Sequence, residues 1–207
     1  DITALHLAIS RYAGFVTFHG PMLNADLLGD KQPPTESSLF SMLRGQLGAG
    51  SVLAHPAAYP LTTLEPGIAC GRLLGGNLSL ICATIGSPFE LDDQDAILFI
   101  EDVNEQPYRI ERALQTLHLA GILKKQQAIV FGDFRMGNIR DAYDSSYTLS
   151  SVMQTLQSVT KIPILTGFPF GHISNKVTMP LGAQAQIRST PNGGYQVTFS
   201  HYPVLNA

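Results

Sequence analysis

The chain has 207 residues, a net charge of −3 and 14% charged residues, against the roughly 25% usual for soluble proteins. Its basic residues are scattered, with Lys124-Lys125 the one adjacent pair, so there is no stripe suited to nucleic acid, and no apolar run nears the ~18 residues of a membrane span. Cys70 and Cys82 fit no zinc or redox spacing and read as small buried packing groups; with no export signal in view, the location expected is cytoplasmic.

Asp1 to Ile9 reads as a helix, with Ile2, Leu5 and Ile9 at helical spacing and Asp1 suited to the positive end of the dipole. Gly14 stops it. Phe15-Val16-Thr17-Phe18 follows as a short buried strand, broken at His19-Gly20-Pro21. A helix feeding such an apolar strand belongs to a parallel sheet covered on both faces, whose other strands are not evident downstream. The polar, doubly prolyl Gly29-Asp30-Lys31-Gln32-Pro33-Pro34 reads as a linker. The chain therefore divides into residues 1–28, a linker at 29–36 and a domain over 37–207.

A short helix near Ser37 to Arg44 precedes a Gly- and Pro-rich stretch to Gly67. Gly71 to Leu80 leads into an apolar segment ending near Ile85, and Ala96 to Ile100 reads as a central strand. Pro107 opens the clearest helix: Ile110, Leu114 and Leu117 line one face and Gly121 caps its end. Ala128 to Phe131 is another buried strand, followed by a helix from about Ser150 to Ser158 and by Ile162 to Leu165. The tail reads as a hairpin, Ala185–Thr190 and Tyr195–Ser200, about the turn Pro191-Asn192-Gly193-Gly194. Helices and strands alternate in the middle and strands dominate the end, so the class expected is α/β with mixed strand direction.

Two polar sites stand at the ends of apolar strands. Glu101-Asp102 follows Ile100, and His172 closes Gly167-Phe168-Pro169-Phe170-Gly171-His172, beyond the strand ending at Leu165. Functional side chains of open α/β sheets gather at the carboxyl ends of strands. A carboxylate there can hold a histidine in one tautomer while the histidine takes a proton from a nucleophile. Strands also end in polar residues for no catalytic reason, and glycine-flanked histidines commonly sit in turns, so position alone leaves both readings open. Asp102 and Glu105 compete with Glu101 on the same terms. Ser158-Val159-Thr160-Lys161 matches the S-x-x-K of Ser-Lys acyl enzymes, but the companion motifs are absent. His6, His19, His55, His118 and His201 have no metal spacing; His118 reads as a surface residue, and His19 as a pocket candidate without a role.

The segment from Phe99 to Arg112 resembles the one that carries the catalytic glutamate of the LD-carboxypeptidases, and Gly167 to His172 the one that carries their catalytic histidine. Gly75-Gly76-Asn77-Leu78 and Phe18-His19-Gly20-Pro21-Met22 are similar to further patterns of that family, in the same order, so the resemblance spans nearly the whole chain. It implies a Ser-His-Glu serine peptidase that removes the terminal D-alanine from murein tetrapeptides in peptidoglycan recycling, with Glu101 and His172 as triad members and no metal or cofactor. It also implies that residues 1–28 are the remnant of a parallel-sheet nucleophile domain, followed by a swivelling-type β/β/α domain with mixed strands. In such proteins the serine sits on the turn before the helix that matches Asp1 to Leu5. The serine is therefore expected immediately before Asp1, with the Asp1 N–H lent to the oxyanion hole.

On this reading the 207 residues alone are inactive, since losing a serine nucleophile costs on the order of 10⁶ in turnover. The partners implied are a murein peptide and the missing N-terminal fragment of the same protein, with no nucleic acid and no membrane; a homodimer stays open. Two alternatives remain: a relative that cleaves the amide of a peptidyl-nucleotide toxin to confer immunity, and a non-catalytic fragment that binds peptide. The apolar helix and strand of residues 1–28 would leave an unpaired sheet edge, so removing them is expected to improve solubility.

Overall fold

A computed structural model describes residues 2–29, 33–45, 51–54, 68–190 and 194–205. Helix α1 (Ile2–Ala13) leads to β1 (Thr17–His19), a π-type turn at Leu23–Leu27 and α2 (Pro33–Leu43). Strands β2 (Ser51–Ala54) and β3 (Ile68–Asn77) precede a short helix, α3 (Leu78–Ala83). Then come β4 (Ala96–Glu101), α4 (Pro107–Leu119), β5 (Gln126–Phe131), α5 (Leu149–Val159) and β6 (Ile164–Leu165). The chain ends in β7 (Met179–Leu181), β8 (Gln184–Ser189) and β9 (Tyr195–Ser200). No helix among the described residues is long and apolar enough to cross a membrane.

Seven strands form one mixed sheet in the order β2-β9-β8-β3-β4-β5-β6. Strand β3 joins its two halves: its amino end pairs antiparallel with β8 and its carboxyl end parallel with β4. All six residues of β4 are buried because the parallel half is covered on both faces. Leu98 and Ile100 pack with Leu114 and Leu117 of α4 and with Val152 and Leu156 of α5. Ile97 and Phe99 face a second core with Phe170, Ile187 and Phe199. In β9 only alternate residues are buried (Tyr195, Val197, Phe199), as expected of a strand with one covered face. Helix α4 begins at Pro107, buries Ile110, Leu114 and Leu117, and ends where the N–H of Gly121 reaches the His118 carbonyl.

The mixed α/β architecture agrees with the sequence reading; several local expectations do not. Phe15 to Phe18 is not a buried strand. Phe15 is 67% exposed, and β1 starts at Thr17, is half-buried, and pairs antiparallel with β7 in a separate two-stranded ribbon. A four-residue apolar run cannot report whether anything covers it. Pro33 and Pro34 open α2 instead of closing a linker, since proline suits the first helical turn; residues 30–32 lie outside the described residues. Strand β3 runs through the Gly-rich stretch. A Cβ at Gly75 would lie 1.8 Å from the Phe99 carbonyl oxygen, so glycine lets β3 close on β4. Cys82 is half-buried and its thiol is pushed up to about 11, mainly by burial, but Cys70 is exposed. Of the hairpin, β8 and β9 pair antiparallel with Ser189 opposite Tyr195, while Pro191 to Gly193 of the turn lie outside the described residues.

Candidate active site

Glu101 ends β4 on the same face as Ile97 and Phe99 and is 3% exposed. His172 reaches it from another part of the chain. After β6, the Phe168 N–H donates to the Phe131 carbonyl, and the Asp133 N–H donates to the Phe170 carbonyl at 2.8 Å. These bonds carry the loop over the ends of β4 and β5. Gly171 then allows contact: its φ is +118°, and a Cβ there would lie 2.7 Å from the Asp133 carbonyl oxygen. His172 Nδ1 sits 2.8 Å from Glu101 Oε2, joining residues 71 apart in the chain. The His172 side chain is 48% exposed. With Nδ1 engaged, Nε2 is the nitrogen left for proton exchange. Burial pushes the Glu101 carboxyl up, Asp102 adds to the rise, and the His172 hydrogen bond and charge oppose it.

The rival carboxylates are otherwise occupied. Asp102 accepts from Asn77 Nδ2 (2.9 Å), the Ser79 N–H (3.0 Å), Ser79 Oγ (2.7 Å) and the Val103 N–H (2.9 Å). Its role is to tie the start of α3 to the end of β4. Glu105 pairs with Arg109 one turn along. Asn77 caps α3 by accepting from the Leu80 N–H at 3.0 Å, and its own N–H donates to Thr3 Oγ1 at 3.1 Å. That bond fixes α1 against the sheet.

A cavity of about 500 Å³ opens at the pair. One wall is Glu101, Phe170, Gly171 and His172; the other is Ile2, Thr3 and His6 of α1 with the run Phe18 to Met22. Lys176 also lines the cavity, its Nζ 2.8 Å from Asp26 Oδ2, both side chains being nearly buried. His19 sits edge-on to Phe170, with ring centres 4.7 Å apart, and 5.0 Å from the His6 ring. Burial first, then the charges of His6, Lys176 and His172, hold its pKa down at about 3. His6 Nδ1 bonds to Thr17 Oγ1 at 2.7 Å, and burial lowers its pKa too. His6 Nε2 and His19 Nδ1 have no hydrogen-bond partner among the described residues.

The geometry joins Glu101 to His172 and puts His19 in the cavity wall. Asp1 and His55 lie outside the described residues, and His118 is half-buried near the end of α4. Ser158 donates to the Thr155 carbonyl within α5, so the S-x-x-K match is an ordinary helical hydrogen bond. Sequence reasoning assigned no site role to Thr3, His6, Asp26 or Lys176. Asp26 and Lys176 are 150 residues apart, and no local pattern links them. Among the described residues no His, Cys, Asp and Glu group is suited to hold a metal ion.

Comparison with known proteins gives these likenesses. Residues 70–187 match the family profile described as LD-carboxypeptidase C-terminal domain. A Bacillus subtilis protein named "probable murein peptide carboxypeptidase" is 39% identical over 190 residues, covering 91% of this chain and 58% of that protein. The crystal structure of muramoyltetrapeptide carboxypeptidase from Oxalobacter formigenes aligns with a TM-score of 0.84 at 34% identity, covering 99% of this chain and 67% of that one. The Escherichia coli microcin C7 self-immunity protein MccF is 29% identical over 218 residues, covering 90% of this chain and 60% of that protein. The chain spans a little over half the length of the curated relatives it matches.

Proposed function

This chain belongs to the LD-carboxypeptidase family, and we propose that it supplies the Glu-His part of a cytoplasmic serine carboxypeptidase site that removes D-alanine from murein tetrapeptides. The observation that carries this reading is the 2.8 Å contact between His172 Nδ1 and Glu101 Oε2 at the mouth of the cavity. The similarity to a murein peptide carboxypeptidase supports the substrate class.

In the proposed mechanism a serine hydroxyl attacks the carbonyl carbon of the bond before the terminal D-alanine. His172 Nε2 takes the serine proton and then delivers it to the departing amine. Water releases the acyl group by the same steps in reverse order. Glu101 accepts the Nδ1–H bond, which holds the tautomer and stabilises the imidazolium. The serine is borne on the segment before Asp1, and the Asp1 N–H serves the oxyanion. The first turn of α1 lines the cavity through Ile2 and Thr3, which supports delivery of a nucleophile from that side. Residues 1–28 then belong with a nucleophile domain that begins upstream, and the second domain begins with α2 (Pro33–Leu43) and runs to residue 207.

The likeness to the self-immunity protein favours a second reading, hydrolysis of a peptidyl-nucleotide amide, and the higher identity to the murein enzyme ranks it behind. The test incubates the full-length protein with murein tetrapeptide and, separately, with an aminoacyl-nucleotide conjugate, and follows the products by mass. D-alanine release by the full-length protein and none by the 207-residue polypeptide is the expected result. Release by the short polypeptide sinks the upstream serine, and cleavage of the conjugate alone sinks the murein assignment.

A further inference from the structure

A peptidase that removes only the last residue must recognise a free carboxylate, and a carboxylate leaving water for a half-closed cavity needs a cation or oriented N–H donors to receive it. Of the basic side chains in the cavity wall, His6 and His19 are kept neutral by burial, and His172 is committed to Glu101. Lys176 is the remaining cation among the described lining residues.

Lys176 is also held in place with unusual care. Its Nζ donates to Asp26 Oδ2 at 2.8 Å, and the same oxygen accepts the Met22 N–H at 2.7 Å. Its own N–H donates to Thr35 Oγ1 at 2.9 Å, and Thr35 Oγ1 donates to the Ser174 carbonyl at 2.5 Å. The Val177 N–H reaches the Pro169 carbonyl at 2.8 Å, so the loop that bears His172 also fixes Lys176 four residues later. An ammonium has three N–H donors, and Asp26 accepts one of them. A nearly buried ion pair contributes little net stability over an apolar pair of the same volume. Its presence in the wall of this cavity therefore points to ligand recognition.

We propose that Lys176, aimed by Asp26, receives the terminal carboxylate of the peptide substrate and so makes the site a carboxypeptidase. This rests on the functional reading above. The carboxylate-bearing residue lies between Lys176 and His172, which directs the scissile carbonyl towards the proton-transfer pair.

The test uses the full-length protein and two substrates, a murein tetrapeptide with a free terminal carboxylate and its terminal amide. The wild type is expected to prefer the acid by about 100-fold in kcat/KM, the scale of one charge-assisted hydrogen bond in a desolvated site. Lys176→Met is expected to collapse that ratio to near one, with the loss on the acid appearing chiefly in KM. The double variant D26N/K176Q exchanges both partners for neutral hydrogen-bonding groups and strands no buried charge, so it tests the same point if Lys176→Met does not fold. Retention of the acid preference by a folded variant, or an equal fall on both substrates, overturns the proposal. A wild type that cleaves acid and amide equally well overturns it while leaving the peptidase reading intact. A wild type that cleaves neither overturns both.

Discussion

The two walls of the cavity are built in opposite ways. The wall with Glu101 and His172 hangs from the ends of β4 to β6, strands covered by core on both faces. The facing wall, residues 2–28, meets the rest through Thr3, His6 and Leu7 of α1, the three-residue ribbon of β1 and β7, and the Asp26–Lys176 pair. Ile2, Leu5, Tyr12, Phe15, Leu23 and Leu28 remain exposed on it. The proposed proton-transfer pair needs closely held geometry, and strands covered on both faces suit that need. The other wall holds a few polar groups in place and presents apolar side chains outward, which fits the proposal that it belongs with a domain beginning upstream.

The sharpest way to break the first wall is His172→Ala in the full-length protein. A fall of about 10⁴-fold or more in kcat/KM is expected, with little change in melting temperature because the side chain is half exposed. An active variant would remove His172 from the mechanism. The second wall should break through its stability. Asp26→Ala strands the Lys176 ammonium in a site where it is 8% exposed, and about 3–5 kcal/mol should be lost in urea unfolding. For the same reason deletion of residues 1–28 is now expected to destabilise the remainder instead of improving its solubility. It removes Leu7 from the main core, the partner strand of β7 and the counter-ion of Lys176.

His19 gives the next largest effect, and it depends on pH. A histidine whose folded pKa lies near 3 stays neutral in the fold, while the unfolded chain takes up a proton below about 6.5. Its contribution is therefore complete above pH 6.5 and is lost as pH falls towards 3. At pH 5 the loss is roughly 2 kcal/mol. His19→Phe keeps the edge-on contact with Phe170 and should flatten the fall in melting temperature between pH 7 and 5. An unaltered slope would show that other groups set the acid limit.

The legible parts of the molecule follow the same division. Strand β4 is plain in the sequence as an uninterrupted apolar run, and helix α4 because its burial is periodic and its end signals, Pro107 and Gly121, are local. Glu101 and His172 stand out through motif context, which also favours Glu101 over Asp102; position alone does not, and the fold supplies the physical reason, since Glu101 meets His172 while Asp102 bonds to Asn77 and Ser79. What was obscure depended on distant partners. Strand β3 hides behind glycines whose purpose is close approach to β4. Strand β7 is three residues with a proline, and the Asp26–Lys176 pair spans 150 positions. Phe15 to Phe18 looks like a core strand because apolar character alone cannot distinguish packing from a surface awaiting cover.

Glu101→Gln should have the smallest effect on stability, and its sign separates function from folding. Burial raises the folded pKa of Glu101, so between about pH 4.5 and that raised value the unfolded chain has released a proton that the folded chain retains. Stability from this group is therefore complete below pH 4.5 and declines as pH rises. Glutamine carries no charge to desolvate and can still accept the Nδ1–H bond. The variant should melt slightly higher than the wild type at pH 8 and equal to it near pH 4, while losing activity because a neutral amide stabilises the imidazolium poorly. A lower melting temperature at pH 8 would mean that the attraction to His172 outweighs the desolvation of Glu101. The rigid wall would then be held together by the Glu101–His172 pair, not strained to accommodate it.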